Sequence, residues 1–304
     1  MDKPIVRIFG VPMDLGQTRR GVDMGPSAMR YANLDEQLHR LGYDVHDEGN
    51  VIVAQAEEIL DPARAGETPV NAHYLPEVAR ACQAAYDQIT GCLEPDEYAI
   101  FIGGDHSISI GTVAAVAQFE RTGVLWIDAH ADFNTPETSP SGSIHGMVLA
   151  ALVGDGPLPL TRVGGITPVL DPAQIAMVGV RDVDPDERER IASHDLTVFT
   201  MPAVDEQGIH HVARKILDQF ADTERIHVSL DLDSCDPRIA PGVGTPVRGG
   251  LSYREAHLLM EILAESGKVR TVDVVEINPI LDDRNSTAEI AVELVASLFG
   301  LRII

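Results

Sequence analysis

The stretch Val124-Leu-Trp-Ile-Asp128-Ala-His130-Ala-Asp132 passes from an unbroken apolar run into two carboxylates and an imidazole at alternate positions. A short apolar run bounded by polar residues reads as a strand buried on both faces, as in a parallel sheet covered by helices. If the chain stays extended past the run, positions 128, 130 and 132 share one face, because side chains alternate with period two. Acids and histidines are rarely tolerated beside such a run unless they are paired or hold a metal.

Outward from this stretch, similar runs recur at 5–9, 43–46, 98–102, 175–180, 196–200, 226–231 and 271–276, with longer helical patterns between them. Together with 124–128 they make about eight strands in βα alternation, which predicts an α/β fold with a parallel sheet. Asp23-Met-Gly-Pro26 places a proline near a first helical turn. Ser252-Tyr-Arg-Glu255 has the form of a capping box, so Ser252 and Glu255 are read as structural. Loops rich in Pro and Gly at 135–144, 154–169 and 237–250 each follow a strand, where open α/β sheets bind ligands. With 304 residues and no repeat or low-complexity linker, residues 1–304 are expected to fold as one domain.

The composition narrows the partners. Acidic residues number 47 against 23 basic ones, a formal net charge of −24, so phosphate-neutralising nucleic-acid binding is not expected. The three cysteines, Cys82, Cys92 and Cys235, are odd in number and form no CxxC pair, which argues for a reducing compartment. Neither a signal-peptide pattern at the N-terminus nor an apolar run of membrane-spanning length is seen, and a cytoplasmic protein is expected.

Two further segments join the first. Ser229-Leu-Asp231-Leu-Asp233 repeats the alternation of acids at the end of an apolar strand, and Ile102-Gly-Gly-Asp105-His106 uses glycines to turn sharply and deliver an imidazole. His106, Asp128, His130, Asp132, Asp231 and Asp233 thus make a hard, oxygen-rich donor set, suited to Mn²⁺ more than to structural zinc. Two such ions sharing carboxylates would lower the pKa of a bridging water toward neutrality, which predicts a two-metal hydrolase. Cys235 lies close by but reads as a small buried apolar residue. His145 precedes an apolar run and is expected near a helix N-terminus, where the dipole would keep its ring neutral; a core histidine is the alternative. Glu276 ends a strand, and a carboxylate at that depth calls for a cation: either a guanidinium ligand or one of the chain's own arginines, such as Arg248 or Arg284.

The segments GGDHS, DAHADFNTPETSPSGSIHG, SLDLDSCDP and VEINP, with GVPMDLGQTRRGVDMGPSAMR near the N-terminus, resemble the ureohydrolase superfamily, and within it the arginases of bacterial type. The resemblance runs from about Arg7 to about Gly300. It implies a three-layer α/β/α sandwich around a mostly parallel eight-stranded sheet, two Mn²⁺ ions per subunit, and hydrolysis of L-arginine to L-ornithine and urea by a metal-bridging hydroxide. By matched position, one ion would be held by His106, Asp128, Asp132 and Asp231, the other by His130, Asp128, Asp231 and Asp233. Glu276 would position the guanidinium and His145 would pass a proton. Asn134, Ser141 and Ser143 would meet the α-carboxylate and Asp184 the α-amino group, with Glu187 and Thr245 also at the substrate; Asp182 is left as structural. A homo-oligomer, trimer or hexamer, is implied. Ser143 departs from the usual Asn, and Ser234-Cys235 from the usual Gly-Leu. Agmatine or another guanidino compound is the alternative substrate, and a non-catalytic binding protein the alternative class.

Overall fold

Strands form where the apolar runs lie: β1 (Ile5–Val11), β2 (Asp44–Asn50), β3 (Tyr98–Gly103), β4 (Thr122–Ile127), β5 (Ile175–Val180), β6 (Thr197–Thr200), β7 (Arg225–Asp231) and β8 (Val269–Val275). They pair in the order β2-β1-β3-β8-β7-β4-β5-β6. Every pairing is parallel. The computed structural model describes residues 3–59 and 70–302.

Alternation sends the strand side chains to two separate cores. Ile8, Ile100, Ile127, Leu230 and Val274 join one cluster with helices Ile209–Gln219, Tyr253–Glu265 and Ser286–Leu298. Phe9, Phe101, Trp126, Met177 and Val275 join the other with helices Leu75–Cys92 and Ser109–Ala117. Strands β4, β5 and β7 are buried at every position; β4 and β5 are accordingly largely apolar rather than alternating, whereas β7 alternates Ile226, Val228 and Leu230 with buried polar residues. The result is the expected three-layer α/β/α sandwich.

Differences from the sequence reading are local. β2 continues to Asn50 through polar residues, because an edge strand paired only to β1 keeps its backbone bonds without an apolar face. The 154–169 loop contains a one-turn helix, Leu158–Thr161. Ser252 does cap its helix, accepting from the Glu255 amide while Glu255 reaches back to the Ser252 amide. Pro26 sits in the first turn of helix Gly25–Tyr31.

The strands β3, β8, β7 and β4 are neighbours at the centre of the sheet. Everything that follows their carboxyl ends is therefore brought to one place, the edge at which open α/β sheets bind ligands. Gly104, just after β3, packs so closely on the extension of β1 that a Cβ there would lie 1.8 Å from the Met13 carbonyl oxygen. On the far side of the same loop, helix Ser109–Ala117 approaches helix Leu75–Cys92 equally closely: a Cβ on Gly111 would meet the Cys82 carbonyl oxygen at 2.3 Å. Gly111→Val should cost about 3 kcal/mol, the upper end of core overpacking, seen as a lower urea midpoint at unchanged slope.

Candidate metal centre and its pocket

None of the candidate ligands lies on a strand that simply runs on. Strand β4 stops at Ile127, the chain bends through residues 128–130, and Asp132 takes a left-handed backbone, φ 50°. After β7 the chain winds into a short 3-10 turn, Leu232–Ser234. The shared face expected from extended alternation is thus not how these acids converge. Asp128 and Asp231 are each aimed by a side chain folding back on its own backbone: Asp128 Oδ1 accepts from the His130 amide at 2.7 Å, and Asp231 Oδ1 from the Asp233 amide at 2.7 Å. Such local bonds are what Asp offers where regular pairing ends.

The convergence itself is tight. His106 Nδ1 lies 3.0 Å from Asp128 Oδ2, 3.1 Å from Asp132 Oδ2 and 3.3 Å from Asp231 Oδ2. His130 Nδ1 lies 3.0 Å from Asp233 Oδ2 and 3.4 Å from Asp128 Oδ1. Two donor groups emerge, His106-Asp128-Asp132 and Asp128-His130-Asp233, with Asp128 common to both and Asp231 beside the first. All six sequence candidates are therefore brought together.

Whether a cation belongs here can be judged from the charges. Burial and the neighbouring carboxylates of Asp233 and Asp128 push the Asp231 carboxyl well above its usual range. Burial and Asp128 raise Asp132 to about 6. For His106, burial works downward, but Asp128, Asp132 and Asp231 outweigh it and force the ring strongly toward the protonated form. His106 Nδ1 is nevertheless buried without a well-directed hydrogen bond. An array that draws in protons this strongly, with a ring nitrogen unpaired at its centre, fits a divalent cation, whose charge would relieve the repulsion.

Support comes from around the donors. Trp126 stacks on the His106 ring at 3.9 Å and 4°, and its Nε1 donates to Asp128 Oδ2 at 3.1 Å. Asp233 accepts from the Ala129 amide and from Thr245 Oγ1. The Arg181 guanidinium donates to the carbonyls of Gly179, Asp233, Ser234, Cys235 and Val247, tying the β5 and β7 loops together. Ser234 Oγ donates back to the Asp231 carbonyl at 2.6 Å, and Cys235 packs in the apolar core. This pair departs from Gly-Leu without disturbing any donor.

Glu276 is wholly buried, with a left-handed backbone at φ 66°. It meets neither Arg248 nor Arg284. Its Oε1 accepts from the His106 amide and from His145 Nδ1, both at 3.0 Å, and its Oε2 from Gln17 Nε2 at 2.8 Å. That contact also corrects the expectation for His145. Burial depresses the ring's pKa, but the Glu276 carboxylate, with Asp132 and Asp105 behind it, outweighs burial and lifts it to about 9. His145 is thus held charged rather than neutral.

A cleft of about 170 Å³ opens over the donors, lined by His130, Asp132 and Asp231 at one end and by Asn134, Ser139, Ser141, Ser143, Asp182, Asp184 and Glu187 elsewhere, with His145 and Thr245. A wider groove of about 640 Å³, beside Tyr253 and Arg302, holds none of these donors. Within the cleft several expected substrate contacts are already engaged. Thr245 donates to Asp233. Glu187 accepts from the amides of Phe133 and Asp184, and burial lifts it to about 7, so it braces the wall. Asn134 Nδ2 donates to Asp184 Oδ2 at 3.0 Å. Asp182, left as structural, lines the cleft, as does Ser139. Neither Gln17 nor Ser139 stands out in the sequence; Gln17 lies 259 positions from its partner Glu276, a separation no local pattern spans.

The sequence pattern of the arginase family matches residues 5–300. The chain belongs to the arginase family. Metal dependence comes with the family, and the donor cluster accords with it. The arginase of Bacillus caldovelox is 49% identical over 301 residues, covering 98% of each chain. That of Bacillus subtilis (strain 168) is 44% identical and covers 100% of both. The crystal structure of the Bacillus caldovelox arginase matches at TM-score 0.94 and 46% identity, over 99% of this chain and 100% of that one. The Entamoeba histolytica arginase, solved with L-ornithine, matches at TM-score 0.89 and 34% identity, over 99% of this chain and 100% of that one.

Asp231→Asn should weaken metal binding by more than the roughly 10- to 100-fold that loss of a ligand's hydrogen-bond partner costs, whereas Cys235→Ala should leave it intact. Elemental analysis after metal loading and gel filtration reads both; retention by Asp231→Asn together with loss by Cys235→Ala would overturn the donor set.

Proposed function

We propose that this chain is an arginase that hydrolyses L-arginine to L-ornithine and urea with two Mn²⁺ ions per subunit. The observation that carries the reading is the two-ended cleft, with carboxylate and imidazole donors at one end and amide, hydroxyl and carboxylate groups at the other. A substrate with a reacting guanidinium and an α-amino-acid head fits both ends at once. The names of the full-length relatives support it.

His106, Asp128, Asp132 and Asp231 would hold one ion, and His130, Asp128, Asp231 and Asp233 the other. When bound, the ions supply a water ionised near neutral pH and positive charge where the tetrahedral centre develops. The remaining work falls to the chain's own groups. Glu276, kept ionised against its burial by His145, orients the guanidinium from beneath the cleft. With Nδ1 committed to Glu276, His145 has Nε2 left to hand a proton to the departing δ-amine. Asn134, Ser141 and Ser143 receive the α-carboxylate, and Asp184 the α-ammonium. Ser143 is shorter than asparagine and reaches less far toward that carboxylate.

The oligomer we propose is a trimer or hexamer, following the family. Three free cysteines fit the reducing cytoplasm. Among the described residues no helix is long and apolar enough to cross a membrane.

Agmatine tests the substrate end, because it lacks the α-carboxylate. A site built to hydrogen-bond a group it no longer finds loses heavily, so kcat/KM for urea release should favour L-arginine by at least about 100-fold. Chelation should abolish release and Mn²⁺ restore it. Faster release from agmatine would overturn the assignment.

A further inference from the structure

Beneath the metal centre, a polar column runs through an otherwise apolar core. His227 and Ser229 on β7 lie beside Thr271 and Asp273 on β8, all wholly or almost wholly buried. None of these four residues has a part in the chemistry described so far. A carboxylate in such a place costs several kcal/mol unless hydrogen bonds satisfy it.

The bonds form a connected path. Ser109 Oγ donates to Asp273 Oδ2 at 2.5 Å, and Thr112 Oγ1 donates to the same oxygen at 2.9 Å. Ser109 Oγ lies 3.4 Å from Ser229 Oγ, which lies 2.8 Å from His106 Nε2. His227 Nε2 sits 3.2 Å from Asp273 Oδ2 without a well-directed bond, and Asp273 Oδ1 is buried without a partner, so the carboxylate is held through Oδ2 by Ser109 and Thr112.

Donor direction along this path is set by its foot. A carboxylate only accepts, so the single Ser109 proton goes to Asp273 and the Ser109 oxygen is left to accept. Ser229 then donates to Ser109, and the Ser229 oxygen accepts from His106. Once a metal displaces the Nδ1 proton, the ring would keep its one remaining proton on Nε2 and turn the Nδ1 lone pair toward Asp128, Asp132 and Asp231. That is the tautomer a metal ligand needs.

We propose that Asp273 is a positioning residue for the metal centre, fixing the tautomer and ring orientation of His106 through Ser109 and Ser229. The proposal rests on the metal-centre reading of His106, but not on the identity of the substrate. A carboxylate that orients a ligating histidine ordinarily touches the ring directly; here two buried hydroxyls intervene, and the carboxylate lies one layer deeper in the sheet.

The test uses the full chain with Mn²⁺ as probe and no substrate. Asp273→Asn keeps the shape but lets an amide donate toward Ser109, reversing the path; Ser229→Ala cuts it. Each should weaken binding at one of the two ion positions by about 10- to 100-fold, read by calorimetric titration or chelator competition, while the metal-free protein keeps its circular dichroism and melts within a few degrees of the parent. The double variant should be no weaker than the weaker single one, because both break one path. Parental affinity in Ser229→Ala, or losses that add in the double variant, would overturn the proposal. So would a fall in metal-free melting temperature that accounts for the lost affinity. Should Asp273→Asn fail to fold, Ser229→Ala decides alone. A parent that binds two ions but releases no urea from arginine would overturn the substrate reading and leave this one standing.

Discussion

Four carboxylates meet two imidazoles at a nearly dry edge of the sheet, and their mutual repulsion is the constraint around which the rest is arranged. Like charges at this spacing cannot all ionise in a low dielectric without a cation among them. Left to themselves the groups share protons instead, as the upward shifts of Asp132 and Asp231 and the strongly protonated His106 indicate. Metal binding and proton release are accordingly two faces of one equilibrium at this site. The fold meets the constraint by geometry: four adjacent central strands end together, so donors distant in sequence are held within a few ångströms.

Holding them has a local cost. Asp132 and Glu276 both adopt left-handed backbone, a region that disfavours residues with a Cβ by about 1–2 kcal/mol. Such outliers persist where surrounding structure over-determines them. Around Asp132 the determinants are the bend after β4 and the amide of Leu149, which donates to the Asp132 carbonyl at 2.9 Å. Around Glu276 they are its amide bond to the Gly104 carbonyl at 2.8 Å and the three donors on its carboxylate. The strain in each case turns a carboxylate off the strand direction and toward the centre.

Much of this is legible in the chain, for identifiable reasons. The strands announce themselves through short apolar or β-branched runs, most fully in β4 and β5, which are covered on both faces; the polar end of the edge strand β2 does not. The six donors can be named because acids and histidines at the ends of apolar runs are seldom tolerated unless they are paired or hold a metal. How they converge cannot be read, since alternation along a strand and side chains bonded back to nearby amides share the i, i+2 spacing. The charge on His145 is hidden for a similar reason: a helix dipole can be inferred from neighbours in sequence, whereas Glu276, 131 positions away, cannot. Gln17 and Asp273 are invisible on the same ground.

Those long-range contacts change what the β1 loop is for. Gly16 donates its amide to Asp105 Oδ2 and accepts at its carbonyl from the His145 amide, while the next residue, Gln17, holds Glu276. A Cβ on Gly16 would fall 2.0 Å from Ser107 Oγ, so the segment has no room to shift toward the β3 loop. One short stretch near the start of the chain thus links the β3 loop that carries His106, the loop that carries His145, and the Glu276 carboxylate after β8. A displacement there would shift the His145 ring and the Glu276 carboxylate together, leaving the carboxylates after β4 and β7 where they are. Asp128 and Asp231 on one side, and His106, His145 and Glu276 on the other, are therefore held by different parts of the molecule: the first two by the amides two residues further on, the other three by Gly16 and Gln17.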